Sequence, residues 1–134
     1  MKKKVLLLII AVIVITAGAL YFFVFRGGGG ETQDEKLYSY VPGDYFVTNV
    51  KDSDSLLKVT VVLALNTDKL ESTLEENEYI IRDKIIFELR SLTEEDILSE
   101  DIQDRLRTDI TDNLNSALGI DDIVTVYFND FVMQ

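Results

Sequence analysis

Apolar and polar positions change period several times along this chain, and each change predicts a boundary. Val5 to Phe25 is 21 residues without a charge, preceded by Lys2, Lys3 and Lys4 and followed by Arg26. As a helix rising about 1.5 Å per residue it would span roughly 30 Å, the thickness of a bilayer's hydrocarbon core. Four glycines, Gly27 to Gly30, and the polar run Glu31 to Lys36 follow, a composition that reads as a flexible tether of about ten residues. Pro42-Gly43 marks a turn, and Tyr45–Val50 is expected as a strand. Lys51-Asp52-Ser53-Asp54 reads as a hairpin connection. Leu56–Leu65 then alternates, with Leu57, Val59, Val61, Leu63 and Leu65 on one face of a long strand and Lys58, Thr60, Val62 and Ala64 on the other.

From Asp68 the spacing becomes helical. Asp68 with Glu71 has the form of a capping box, and Leu70, Leu74, Ile81, Ile85 and Leu89 line one stripe, widened by Ile80, Ile86 and Leu92. The polar run Glu75-Glu76-Asn77-Glu78 is a candidate break into two helices, and Glu78–Arg82 and Lys84–Glu88 are spaced for ion pairs along the helix. Thr93 to Asp96 is a second capping signature. Ser99 is the expected cap of a longer helix with Ile102, Leu106, Ile110, Leu114 and Leu118 on its buried face and Gly119 at its C-cap. Ile123–Met133 is rich in β-branched and aromatic residues, with Val124, Val126 and Phe128 on one face and Ile123, Thr125 and Tyr127 on the other. Apolar on both faces, it is expected as a central strand or as one covered by another copy, with Phe128, Phe131 and Met133 in the core; the alternative is an exposed edge that pairs with a partner strand. The predicted order is β-β-α-α-β, an α+β fold with helices on one face of a small sheet.

Charge changes the picture on either side of the apolar run. The lysines on its short leading side orient that side to the cytoplasm. Ala17-Gly18-Ala19 has the form of a signal-peptidase site, which leaves a cleaved, secreted binding module as an alternative. The apolar run continues through Leu20 to Phe25, however, and Tyr21 with the phenylalanines fits the aromatic belt of a helix end, so an uncleaved anchor is the expectation. The domain organisation is then a cytoplasmic stretch 1–4, a membrane helix 5–25, a linker 26–36 and an extracytoplasmic domain 37–134. Beyond residue 30 lie 24 acidic and nine basic residues, a formal charge of −15. That sign repels phosphate backbones, so nucleic acid is not an expected partner.

The segments in order resemble the FliL family of flagellar basal-body-associated proteins. The resemblance runs from the N-terminal anchor through Tyr45–Val50 and Leu57–Asn66 to Glu76-Asn77-Glu78-Tyr79-Ile80-Ile81-Arg82-Asp83-Lys84-Ile85-Ile86, similar to the family's ENxxxIRDxII signature. Leu89-Arg90-Ser91-Leu92-Thr93-Glu94-Glu95-Asp96 extends it, and Val126 to Gln134 is similar to the family's VYFxxFVxQ terminus. Tyr79 stands near where many members carry proline. The resemblance implies a single-pass protein of the cell (inner) membrane with a periplasmic or extracytoplasmic domain similar in fold to the stomatin (SPFH) domain. It also implies association with the basal body and the MotA/MotB stator units, assembly of copies into a ring, and support of torque, swimming or swarming and chemotaxis. No catalytic activity is attributed to the family.

Candidate chemistry is sparse. The chain has neither cysteine nor histidine, so thiol chemistry, disulfides and imidazole catalysis are absent. The acidic groups Asp52/Asp54, Glu94/Glu95/Asp96 and Asp121/Asp122 are the only material for a carboxylate-dependent hydrolase or a calcium site. They lie near turns and helix starts, where carboxylates ordinarily cap or face solvent, and no spacing matches an EF-hand loop. No catalytic residue, metal, cofactor or small-molecule substrate is therefore expected. Arg82, Asp83 and Arg90 are the candidate interaction residues, read either as solvent-facing helix charges or as contacts between neighbouring copies.

Overall fold

The computed structural model describes residue 16 and residues 36–134. The expected stretches 1–4, 5–25 and 26–36 lie outside the described residues, apart from Thr16 and Lys36. Among the described residues no helix is long and apolar enough to cross a membrane.

Leu56–Leu65 forms strand β3, and its alternation decides the architecture. Leu57, Val59, Val61, Leu63 and Leu65 are all buried, which fixes the register because a slip by one residue would expose the whole set. β1 (Tyr38–Tyr40) and β2 (Phe46–Asn49) both pair antiparallel with β3, β1 along Leu63–Leu65 and β2 along Leu56–Val59. They therefore lie end to end along one edge. β4 (Ile123–Met133) runs antiparallel along the other, from Leu57↔Met133 to Leu65↔Ile123. The central strand is β3. β4, expected as central or as covered by another copy, with an exposed edge as the alternative, is an edge strand, and among the described residues its one strand partner is β3.

Two irregularities in β4 correct its expected faces. The register shifts between Ala64 and Leu65 and again between Thr60 and Val61, so Val124 and Asn129 are extra residues on the β4 side. Each bulge flips the alternation beyond it. Ile123, Val126, Phe128, Phe131 and Met133 stand opposite the five buried β3 residues, so Ile123 shares the core face with Val126 while Val124 is exposed. Phe128, Phe131 and Met133 pack against the core although partly exposed, with Phe128 and Phe131 edge to face at 5.8 Å.

The helices α1 (Glu71–Glu76), α2 (Glu78–Arg90), α3 (Glu94–Leu98) and α4 (Ile102–Leu118) cover the core face of the sheet. The break expected in the polar run falls at Asn77, whose side chain folds back on the Thr73 carbonyl at 2.8 Å. Leu74, Ile81, Ile85 and Leu89 are buried, as are Ile102, Leu106, Ile110 and Leu114 at steps of four on α4. Each such side chain contributes about 1.5–3 kcal/mol by leaving water.

Helix ends follow the sequence in part. Thr93 and Asp96 form the reciprocal capping box of α3, and Gly119 closes α4 with φ 66°, a left-handed conformation that glycine adopts without penalty. The Asp68–Glu71 box does not form. Thr67 instead turns the chain by accepting from the Lys69 N–H, and α1 begins after Leu70 without a side-chain cap. Ser99 does not cap α4 either. Its carbonyl accepts from the Ile102 N–H and its hydroxyl donates to Asp101, which stands at the N-cap without a side-chain bond to the helix.

Candidate functional site

The residues singled out on α2 divide between two faces. Asp83 and Arg90 are seven apart, two turns along one face, and both are exposed. Arg82 is rotated away from them toward the sheet. Half-buried, it donates from a guanidinium nitrogen to the Pro42 carbonyl at 2.7 Å and lies 4.5 Å over the Phe46 ring. Arg82 thus ties α2 to the turn between β1 and β2, and the reading of two solvent-facing charges does not describe it. The turn is shaped for this contact. Gly43 has φ 78°, and a Cβ placed there would strike the guanidinium. The expected pairs Glu78–Arg82 and Lys84–Glu88 are not made, because Arg82 goes to Pro42 and Glu88 accepts from Asn113 of α4 at 2.5 Å. Among the described residues the ion pairs are Arg105–Asp96 and Arg107–Asp104.

Asp83 and Arg90 open onto a groove of about 500 Å3, lined by Lys51, Asp83, Ile86, Phe87, Arg90 and Ser91. Lys51 reaches it because its N–H bonds to the Leu92 carbonyl at 2.8 Å, which pins the hairpin after β2 to the end of α2. Phe87 in the groove wall is 71% exposed, and Tyr79, earlier on α2 and outside the groove, is equally exposed. The sequence reading missed both. The signal was present, since Tyr79 and Phe87 fall outside the Ile81-Ile85-Leu89 stripe and so had no core to enter. An open groove walled by Ile86 and the largely exposed Phe87 has the character of a contact surface rather than of a site of chemistry.

Electrostatics sharpen that distinction. Among the described residues, Lys36 and Lys58 lie over tyrosine rings and Arg82, Arg105 and Arg107 are bonded as above, whereas the side chains of Lys51, Lys69, Lys84 and Arg90 make no hydrogen bond or ion pair. Two of these four uncommitted cations line the one groove.

The acidic groups are engaged differently. Glu94 accepts from the hydroxyls of Ser53 and Ser55, which hold its carboxyl below the usual range. Asp96 is lowered by the Thr93 N–H first, then by the Thr93 hydroxyl and Arg105. Glu88 is raised by burial, then by Asp109, against the opposing bond from Asn113. Asp122 supplies its carbonyl to the Asn66 N–H at 3.1 Å. The carboxylates of Glu94 and Asp96 thus fasten a loop and a helix start, and among the described residues no group of three or more acidic side chains is placed to hold a metal ion.

Comparison with known proteins adds the family. Residues 40–134 match the family described as flagellar basal body-associated protein FliL. The chain is 28% identical over 101 residues to the flagellar protein FliL of Bacillus subtilis, covering 75% of this chain and 71% of that one. It is 26% identical over 91 residues to the flagellar protein FliL of Aquifex aeolicus, covering 66% of this chain and 56% of that relative.

Proposed function

The chain belongs to the FliL family of flagellar basal body-associated proteins, and we propose that it acts as a non-enzymatic, membrane-anchored accessory of the flagellar motor. In this reading residues 5–25 hold it in the cell membrane with its N-terminus in the cytoplasm. The domain 37–134 stands outside on the tether 26–36, and its copies form a ring that supports the MotA/MotB stator units during rotation. The match over residues 40–134 carries the reading. The sequence supports it in two further ways. An uncharged run of 21 residues is long enough to span, and a domain without histidine or cysteine has little equipment for catalysis. Position then becomes the function. Many copies tethered to one surface meet at a high effective concentration, so lateral contacts too weak to associate free domains suffice to assemble them.

The test is a deletion strain swimming in media of rising viscosity. Speed should fall increasingly behind the parent as load rises. The intact chain should restore it, and a chain lacking residues 5–25 should not. Equal speed of parent and deletion at every load would refute the proposal.

A further inference from the structure

The groove on α2 has a chemical complement on this same chain. Leu98, the last residue of α3, is 74% exposed, the most exposed large apolar side chain among the described residues. It projects from the corner between α3 and α4 with Glu94, Glu95, Glu100 and Asp101 around it in sequence. Glu94 and Asp101 are bonded to serines, while Glu95 and Glu100 make no hydrogen bond or ion pair. The corner is an apolar knob with an acidic rim. The groove has an apolar wall, Ile86 and Phe87, and holds two cations without partners, Lys51 and Arg90, against one carboxylate, Asp83. Neither Leu98 nor its flanking acids line the groove, and both Phe87 and Leu98 remain exposed, so the knob does not fill the groove of its own chain.

We infer that the α2 groove receives the Leu98 corner of a second copy of this chain, the apolar tip packing on Phe87 and Ile86 and the acidic rim meeting Lys51 and Arg90. Such a contact joins two different surfaces, so each copy offers one groove and one knob, and repetition generates a closed ring or an open filament rather than a dimer. It also answers the charge problem of the domain. Bodies carrying −15 repel one another, and a local meeting of opposite charge within a Debye length of about 8 Å is what lets them approach. A second copy is favoured over an unrelated acidic partner because knob and groove are matched in both polarity and charge on one chain. The inference rests on the proposed assembly and names its interface.

The absence of native cysteine makes the test direct. Phe87→Cys and Leu98→Cys are placed in separately tagged copies of the full chain, co-expressed in membranes and bridged with a short thiol-specific cross-linker. Both positions are exposed, so the substitutions leave the core intact. The mixed pair should cross-link into a product carrying both tags, a chain with both cysteines should give a ladder, and either variant alone should give no dimer. Arg90→Glu in the groove copy should reduce the mixed product several-fold, and Glu95→Arg in the knob copy should restore it. Phe87→Cys cross-linking to itself as well as to Leu98→Cys, or to an unrelated protein instead, overturns the inference. So does a mixed pair that fails to cross-link while amine-reactive cross-linking shows the unsubstituted chain assembled. An unsubstituted chain that stays monomeric in the membrane would overturn the ring itself and this interface with it.

Discussion

At the scale of single residues, the side chain that the sequence marked as a surface charge turns out to be a structural fastener. Arg82 sits on a helix among exposed charges, and nothing in the helical spacing says that a turn 40 residues earlier would offer it a carbonyl and an aromatic face. Arg82→Ala should destabilise the domain by about 1–3 kcal/mol in urea unfolding, from the lost charged hydrogen bond and ring contact. Gly43→Ala should act in the same direction, because it strains a left-handed residue and pushes the guanidinium off its site. Titration separates the carboxylates further. The capping bonds hold the folded pKa of Asp96 below its unfolded value, so its contribution is present above the ordinary carboxylate range and is lost as pH falls through the folded value. Glu88 is raised, so its charge costs stability as pH climbs past the unfolded value and that cost vanishes in acid. Unfolding midpoints measured across pH should therefore show opposite trends. Asp96→Asn should flatten the acid loss, and Glu88→Gln should stabilise the domain at neutral pH with no gain in acid.

At the scale of elements, periodicity showed where burial is one-sided and failed where backbone irregularity intervenes. β3 and α4 were legible because five alternating residues and four at steps of four admit only one buried face. β1 was not, since Tyr38-Ser39-Tyr40 is too short to show a period and is defined by its partner Leu63–Leu65. The faces of β4 were misread because an extra residue at Val124 and another at Asn129 leave no local mark in composition. The same strand shows how an edge is managed. Asn115 of α4 donates to the Ile123 carbonyl at 2.9 Å and accepts from its N–H at 3.2 Å, and Arg107 donates to the Val126 carbonyl at 3.0 Å. Side chains of a helix thus satisfy backbone groups at the start of an edge strand. Asn115→Ala should cost about 1–3 kcal/mol by leaving two backbone groups without partners, and hydrogen exchange at Ile123 should rise. Leu114→Ala should cost about 2–5 kcal/mol through the cavity it leaves, with no local change at Ile123. The groove was half legible: Asp83 and Arg90 were singled out, but Lys51 joins them only through a backbone bond from its hairpin to Leu92, about 40 residues distant in sequence.

At the scale of the whole molecule, the chain separates an apolar run from a strongly acidic domain whose uncommitted cations partly converge on one groove. A permanent anchor fits that division, since a tethered domain needs only weak contacts to act where it is held. Protein isolated from membranes should begin at or near Met1, and an N-terminus at Leu20 would instead identify a cleaved leader. Screening gives a further expectation. A ring contact rimmed by Lys51, Arg90 and opposing carboxylates should yield less cross-linked product as salt rises, whereas a purely apolar contact would not weaken. The most direct test of motor support is to count stator units in single motors turning a tethered bead, by the discrete torque steps as units join and leave. A strain lacking this protein should hold fewer units, or lose them sooner, at high load and recover with the intact chain. Identical step numbers and dwell times with and without the protein would contradict a role in supporting the stator.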